Sequence, residues 1–187
     1  MKNQSDLLLL LILFIMIKSK NDILTIPNFL EDEDLGKVRS ETNNKLWSIQ
    51  VSNRPEENKG LEIHDFLILD VSNRSFFNEY LFNKVQQSLS ISCELERVYF
   101  NLQWPGRDGR LHKDGCDFTA LLYISNWNLE WGGFTQIVTP SNEIRVFPPI
   151  PNMLLCFPGD FLHKGFSFTS NSPKRLSLAF KLANVRI

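Results

Sequence analysis

The chain has 187 residues, 43% of them hydrophobic and 22% charged, with a formal net charge of −1. That is enough for one well-buried domain, too little for two ordinary ones, and a composition that excludes intrinsic disorder. The near-zero charge argues against a nucleic-acid partner. The widely spaced Cys93, Cys116 and Cys156 form no disulfide framework and point to a reducing, cytoplasmic setting.

The N-terminus carries an apolar run, Leu7 to Ile17, about 16 Å long as a helix against a hydrocarbon core of roughly 30 Å. Residues 1–20 are therefore read as an extension with three alternatives: a misplaced start with Met16 as the true one, a signal segment, or a membrane anchor. Asp6 beside Lys2, and the Lys18–Asp22 stretch without a small-x-small site, speak against a signal. Membrane association or a secretory route would rest on this run alone. Residues 21–187 are read as one domain.

Ile23–Leu30 reads as a short strand ending in a Pro27-Asn28 turn. Glu31–Leu46 reads as a helix with acids in its first turn, as the helix dipole favours. Ser52–Gly60 is a polar loop, and His64 beyond it is read as a structural or surface residue. Asn73–Leu89 is the second helix, with Phe76/Phe77, Tyr80/Leu81, Val85 and Leu89 at core-facing spacing.

From Arg97 the period changes to two. Strand candidates follow at Arg97–Trp104, Arg110–Asp114, Phe118–Ser125, Phe134–Thr139, Glu143–Phe147, Met153–Phe157, Phe161–Phe168 and Arg175–Leu182, separated by Gly, Pro and Asn turns. Closely spaced strands without intervening helices predict a sandwich or jelly roll over residues 97–183, with the two helices covering one outer face. Arg107, Arg110, Lys113, Lys164, Lys174 and Arg175 read mostly as solvated charges; the alternative is a basic rim that attracts an anionic co-substrate.

His112-Lys113-Asp114 puts an imidazole and a carboxylate on one face of a strand, and His163 arrives on another strand after the Pro158-Gly159 turn. Two histidines and a carboxylate are the facial ligand set of non-haem Fe(II) oxygenases, but a zinc hydrolase can use them too. Arg175 and Ser177 share a face of the last strand. A guanidinium fork with a neighbouring hydroxyl suits a carboxylate. Tyr123 offers another hydroxyl. A dicarboxylic 2-oxo acid would need such an anchor, and a hydrolytic zinc site would not.

Tyr99 to Leu182, through YFNLQWPGRDGRLHKDG, TALLYISNWNLEWGGFTQI, NMLLCFPGDFLHKGF and KRLSLAFKL, resembles the 2-oxoglutarate/Fe(II) dioxygenase superfamily. The likeness is to its prolyl 4-hydroxylase-like branch, in the compact viral and bacterial form. The resemblance implies a mainly β fold, a double-stranded β-helix of jelly-roll or cupin-like type. It implies Fe(II) on His112, Asp114 and His163, and 2-oxoglutarate with its distal carboxylate on Arg175, Tyr123 and Ser177. Ascorbate would be the reductant. The implied reaction hydroxylates a substrate C–H bond, with release of succinate and carbon dioxide. A peptidyl proline is the leading substrate, with other protein side chains, free amino acids and alkylated bases as alternatives. Trp104, Arg110, Trp127 and Trp131 are candidate substrate contacts. Trp104 stands where many prolyl hydroxylases have Tyr, and Arg175 where collagen-type enzymes commonly use Lys. Two readings compete: a non-catalytic β-helix that binds metal or 2-oxoglutarate, and a zinc hydrolase on a cupin-like barrel.

Overall fold

A computed structural model describes residues 16–43, 47–50 and 66–187. The run from Leu7 to residue 15, the Ser52–Gly60 loop and His64 lie outside the described residues. Among the described residues ten strands form two antiparallel sheets. The strands are β1 (Leu24–Ile26), β2 (Ser48–Gln50), β3 (Phe66–Asp70), β4 (Ser92–Gln103), β5 (Phe118–Tyr123), β6 (Thr135–Val138), β7 (Ile144–Phe147), β8 (Leu154–Pro158), β9 (Leu162–Gly165) and β10 (Arg175–Arg186). The larger sheet has the order β1-β8-β5-β10-β4-β3-β2 and the smaller one β7-β6-β9. This is the expected jelly roll.

Period-two alternation sorts the central strands into two cores. Leu178, Phe180 and Leu182 of β10, Phe118, Ala120 and Leu122 of β5, and Val98 and Phe100 of β4 point outward into the larger core. Helix α1 (Asp32–Ser40) brings Leu35 and Val38 to that core; α2 (Phe82–Leu89) brings Val85 and Leu89. The helices are also tied to each other, because Asp34 accepts from Tyr80 Oη at 3.0 Å and pairs with Lys84 Nζ at 2.8 Å. The opposite residues of the same strands face the smaller sheet. Leu121, Tyr123, Leu155, Phe157 and Ala179 meet Ile137 there in the second core. That inter-sheet face also carries Arg175, Ser177 and Lys181 of β10.

The structure corrects several element boundaries. The first helix stops at Ser40 rather than Leu46, before Thr42-Asn43-Asn44, which are poor helix formers. The second begins as a π-helical turn, Phe76–Leu81, before α2. β3 was not expected: Ile68 and Leu69 are both buried, so the strand shows no alternation to read. Around His112 there is no strand but a single bridge, in which His112 and His163 exchange both backbone hydrogen bonds at 2.9 Å.

Ile17 is buried in the outer core, and its N–H donates to Leu89 O at 3.3 Å. Among the described residues no helix is long and apolar enough to cross a membrane.

Asn152 fastens the N-terminal segment to the barrel. Its side chain accepts from Leu30 N at 2.9 Å and donates to Leu30 O at 2.7 Å. Its backbone N–H reaches Tyr123 O at 2.8 Å, and its φ of 62° is one that Asn tolerates better than most residues. Asn152→Ala orphans two buried backbone groups at Leu30, a loss of about 2–4 kcal/mol or roughly 5–10 °C in Tm. Thermal denaturation followed by circular dichroism checks this; a midpoint within about a degree of wild type would contradict it.

Candidate metal and co-substrate site

The inward-facing polar residues gather in two neighbouring groups. In the first, the ligand atoms of His112, Asp114 and His163 all lie within 4.8 Å of one another. His112 Nε2 is 3.4 Å from Asp114 Oδ1, and His163 Nε2 is 3.2 Å from Asp114 Oδ2. Each ring places Nδ1 2.8 Å from a backbone carbonyl, His112 on Arg110 O and His163 on Phe161 O. A carbonyl can only accept, so Nδ1 carries the proton and Nε2 keeps its lone pair for a metal. The His163 and Asp114 side chains are each 7% exposed, while the His112 side chain is 47% exposed, which leaves the cluster open on one side. The donor set and the fixed tautomers fit a divalent metal with open positions.

Asp114 is further held by Thr119, whose hydroxyl donates to Oδ2 at 2.5 Å, and by an ion pair between Oδ2 and Lys181 Nζ. Burial alone would raise its pKa. Lys181 and the two imidazoles outweigh burial and hold the carboxyl well below its usual range. For His112 too, burial opposes the charge, and the bonds with Asp114 and Arg110 O outweigh it, so the pKa rises.

The second group surrounds Arg175, which is 3% exposed. Its Nε donates to Gly133 O at 3.0 Å, Nη1 to Gln103 Oε1 at 2.7 Å and Nη2 to Thr135 Oγ1 at 2.9 Å. Thr135 also accepts from Tyr123 Oη at 2.7 Å. One N–H on each terminal nitrogen remains, the pair that can grip a carboxylate in the guanidinium plane. Ser177 Oγ is buried without a partner among the described residues. No carboxylate among the described residues forms an ion pair with Arg175, although a buried cation ordinarily has a counter-charge. Two glycines make room for this packing. A Cβ on Gly133, whose φ is +75°, would sit 2.3 Å from Phe168 Cδ1, and one on Gly165 would sit 3.3 Å from Arg175 Nη1.

Sequence reasoning reached His112, Asp114, His163, Arg175, Tyr123 and Ser177. It missed Thr119, Thr135, Gln103 and Lys181. The alternation of β10 could have shown Lys181, which shares its face with Arg175 and Ser177.

The aromatic candidates make contacts of their own. Trp104 is 41% exposed, with Lys174 Nζ 3.8 Å from its ring centroid. Trp127 Nε1 donates to Gly132 O at 2.8 Å, and Trp131 lies against Phe168.

No family model matches the chain, and no curated protein does. Solved structures do. A prolyl hydroxylase from Trichoplax adhaerens, in complex with a hypoxia inducible factor oxygen degradation domain peptide fragment, matches with a TM-score of 0.68 at 13% identity, over 98% of this chain and 94% of that one. A prolyl-4-hydroxylase from Pseudomonas putida matches with a TM-score of 0.64 at 16% identity, over 87% and 93%. HygX from Streptomyces hygroscopicus, with nickel and 2-oxoglutarate bound, matches with a TM-score of 0.62 at 12% identity, over 98% and 87%. The fold is that of the 2-oxoglutarate/Fe(II) oxygenases. Within this fold Arg175 begins β10, His163 lies on β9, and His112 is bridged to His163 from the segment between β4 and β5.

Proposed function

We propose that the protein is a 2-oxoglutarate- and Fe(II)-dependent dioxygenase that hydroxylates a peptidyl proline, releasing succinate and carbon dioxide. The observation that carries the reading is Arg175, a buried cation without a counter-charge among the described residues, beside the orphaned hydroxyl of Ser177. A carboxylate supplied by a ligand satisfies both.

Thr135 and Ile137 are two residues apart on β6, and Ile137 is opposite His163. The Arg175 cluster is thereby offset from the histidines by about 7 Å along the strand, the length scale of a five-carbon dicarboxylate. His112, Asp114 and His163 would hold the iron, which when bound supplies the oxygen activation. Arg175, Tyr123 and Ser177 would receive the distal carboxylate and orient the co-substrate. The protein's own contribution is ligand geometry, orientation and a dry space between the sheets rather than a general base. The half-exposed His112 marks the side from which substrate approaches. Trp104, Arg110, Trp127 and Trp131 are the proposed substrate contacts, and the protein is proposed to act in the cytoplasm. The peptide-bound Trichoplax neighbour supports a peptide substrate.

The test incubates the protein with Fe(II), 2-oxoglutarate and ascorbate in air, assays succinate, and screens proline-containing peptides for the mass gain of one oxygen atom, about 16 Da. Succinate formation coupled to peptide oxidation is expected. Succinate without peptide oxidation would reject the proline substrate, and no succinate under any condition would reject the oxygenase reading.

A further inference from the structure

Lys181 has so far appeared only as a partner of Asp114, and it occupies the metal side of β10. Its side chain is 13% exposed, and its ammonium pairs with Asp114 Oδ2 while donating to Thr119 Oγ1 at 3.2 Å. Asp114 Oδ2 thus receives Thr119 and Lys181 together, with His163 Nε2 3.2 Å away, while among the described residues Oδ1 faces only His112 Nε2 at 3.4 Å. Tyr99, on the neighbouring strand β4, lies under the ammonium with its ring centroid 5.8 Å away.

We propose that Lys181 is a positioning residue for the metal centre: it neutralises and orients Asp114 in the metal-free protein, and it thereby limits how tightly the metal binds. This rests on the metal reading of His112, Asp114 and His163 given above. A buried carboxylate without a counter-charge is unstable in the folded state. Before a metal arrives, Lys181 is the full charge that faces it. Once a divalent cation binds the same carboxylate, the ammonium stands close to a second positive charge and draws electron density from the ligand oxygen. Stability of the empty site and affinity for the ion are therefore coupled with opposite sign, as linkage requires. Thr119 and Lys181 both engage Oδ2, so the carboxylate would already be oriented before a metal arrives.

The test compares wild type with Lys181→Met and Lys181→Gln, using Mn2+ as the probe. Free Mn2+ is measured by electron paramagnetic resonance, and melting by calorimetry with and without the ion. Both variants are expected to melt lower without metal, to gain more from Mn2+ than wild type does, and to bind it tighter by about tenfold. A variant that folds only with Mn2+ present supports the proposal equally. Weaker or unchanged Mn2+ binding in the variants, or a variant that Mn2+ does not rescue, would overturn the proposal. Failure of wild type to bind Mn2+ would instead overturn the metal reading beneath it.

Discussion

Arg175→Lys is expected to weaken 2-oxoglutarate binding by about a hundredfold while Mn2+ affinity stays within about twofold of wild type. The substitution keeps the charge and removes the fork. In the native protein Nε and one N–H on each terminal nitrogen are committed to Gly133 O, Gln103 Oε1 and Thr135 Oγ1, and those bonds fix the guanidinium plane. The remaining pair of N–H groups is therefore already aimed, so little orientational freedom is lost when a carboxylate arrives. A lysine ammonium is a point charge that cannot satisfy three spaced acceptors and still present two parallel donors. The loss falls on the co-substrate because Arg175 touches none of the three metal-ligand candidates. Calorimetric titration of 2-oxoglutarate into the Mn2+-loaded protein under anaerobic conditions measures it. Equal affinity in wild type and variant would remove Arg175 from the co-substrate site.

The second large effect is at Asp114. Asp114→Ala is expected to abolish Mn2+ binding and to destabilise the metal-free protein by roughly 3 kcal/mol, or about 10 °C in Tm. Both losses come from the same carboxylate. Without it two imidazoles are left as ligands, and the largely buried ammonium of Lys181 loses its counter-charge. Thr119 would keep only its contacts with Lys181 and with the Cys116 thiol, 3.5 Å away. Combining Asp114→Ala with Lys181→Met removes the stranded charge and should recover most of the stability but none of the metal binding. Differential scanning calorimetry of the two variants separates these outcomes. A single variant as stable as wild type would mean that the Asp114–Lys181 pair contributes nothing to the fold.

The contrast between these two clusters also marks how far the sequence could be read. The HxD pair was legible as a short motif, although no strand forms around His112, His163 from the turn before it, and Arg175 and Ser177 from strand alternation. Tyr123 was legible for the same reason, since β5 pairs Tyr123 directly with Ser177. The inter-sheet contacts were not. Arg175 on the larger sheet meets Thr135 on the smaller one across 40 positions of sequence; within its own sheet its cross-strand partner Gln103 lies 72 positions away. Period-two spacing assigns a side chain to a face without saying which residue of the other sheet it touches. Lys181 was hidden differently, because a lysine near the end of a long strand resembles any other solvated charge. Burial made it otherwise. Among the elements, β3 escaped because both of its faces are covered, and the first helix was drawn too long because its acidic start is a clearer signal than its end.

Everything proposed for the site requires that one space between the sheets hold both a divalent metal and 2-oxoglutarate. The most direct measurement is anaerobic titration of Fe(II) into the protein with 2-oxoglutarate, followed by visible absorption. A weak charge-transfer band that needs both components is expected. The band should be lost in His163→Ala, and in Arg175→Lys it should appear only at higher 2-oxoglutarate concentration. The absence of any band in wild type, or a band that survives His163→Ala unchanged, would contradict a shared metal and co-substrate site.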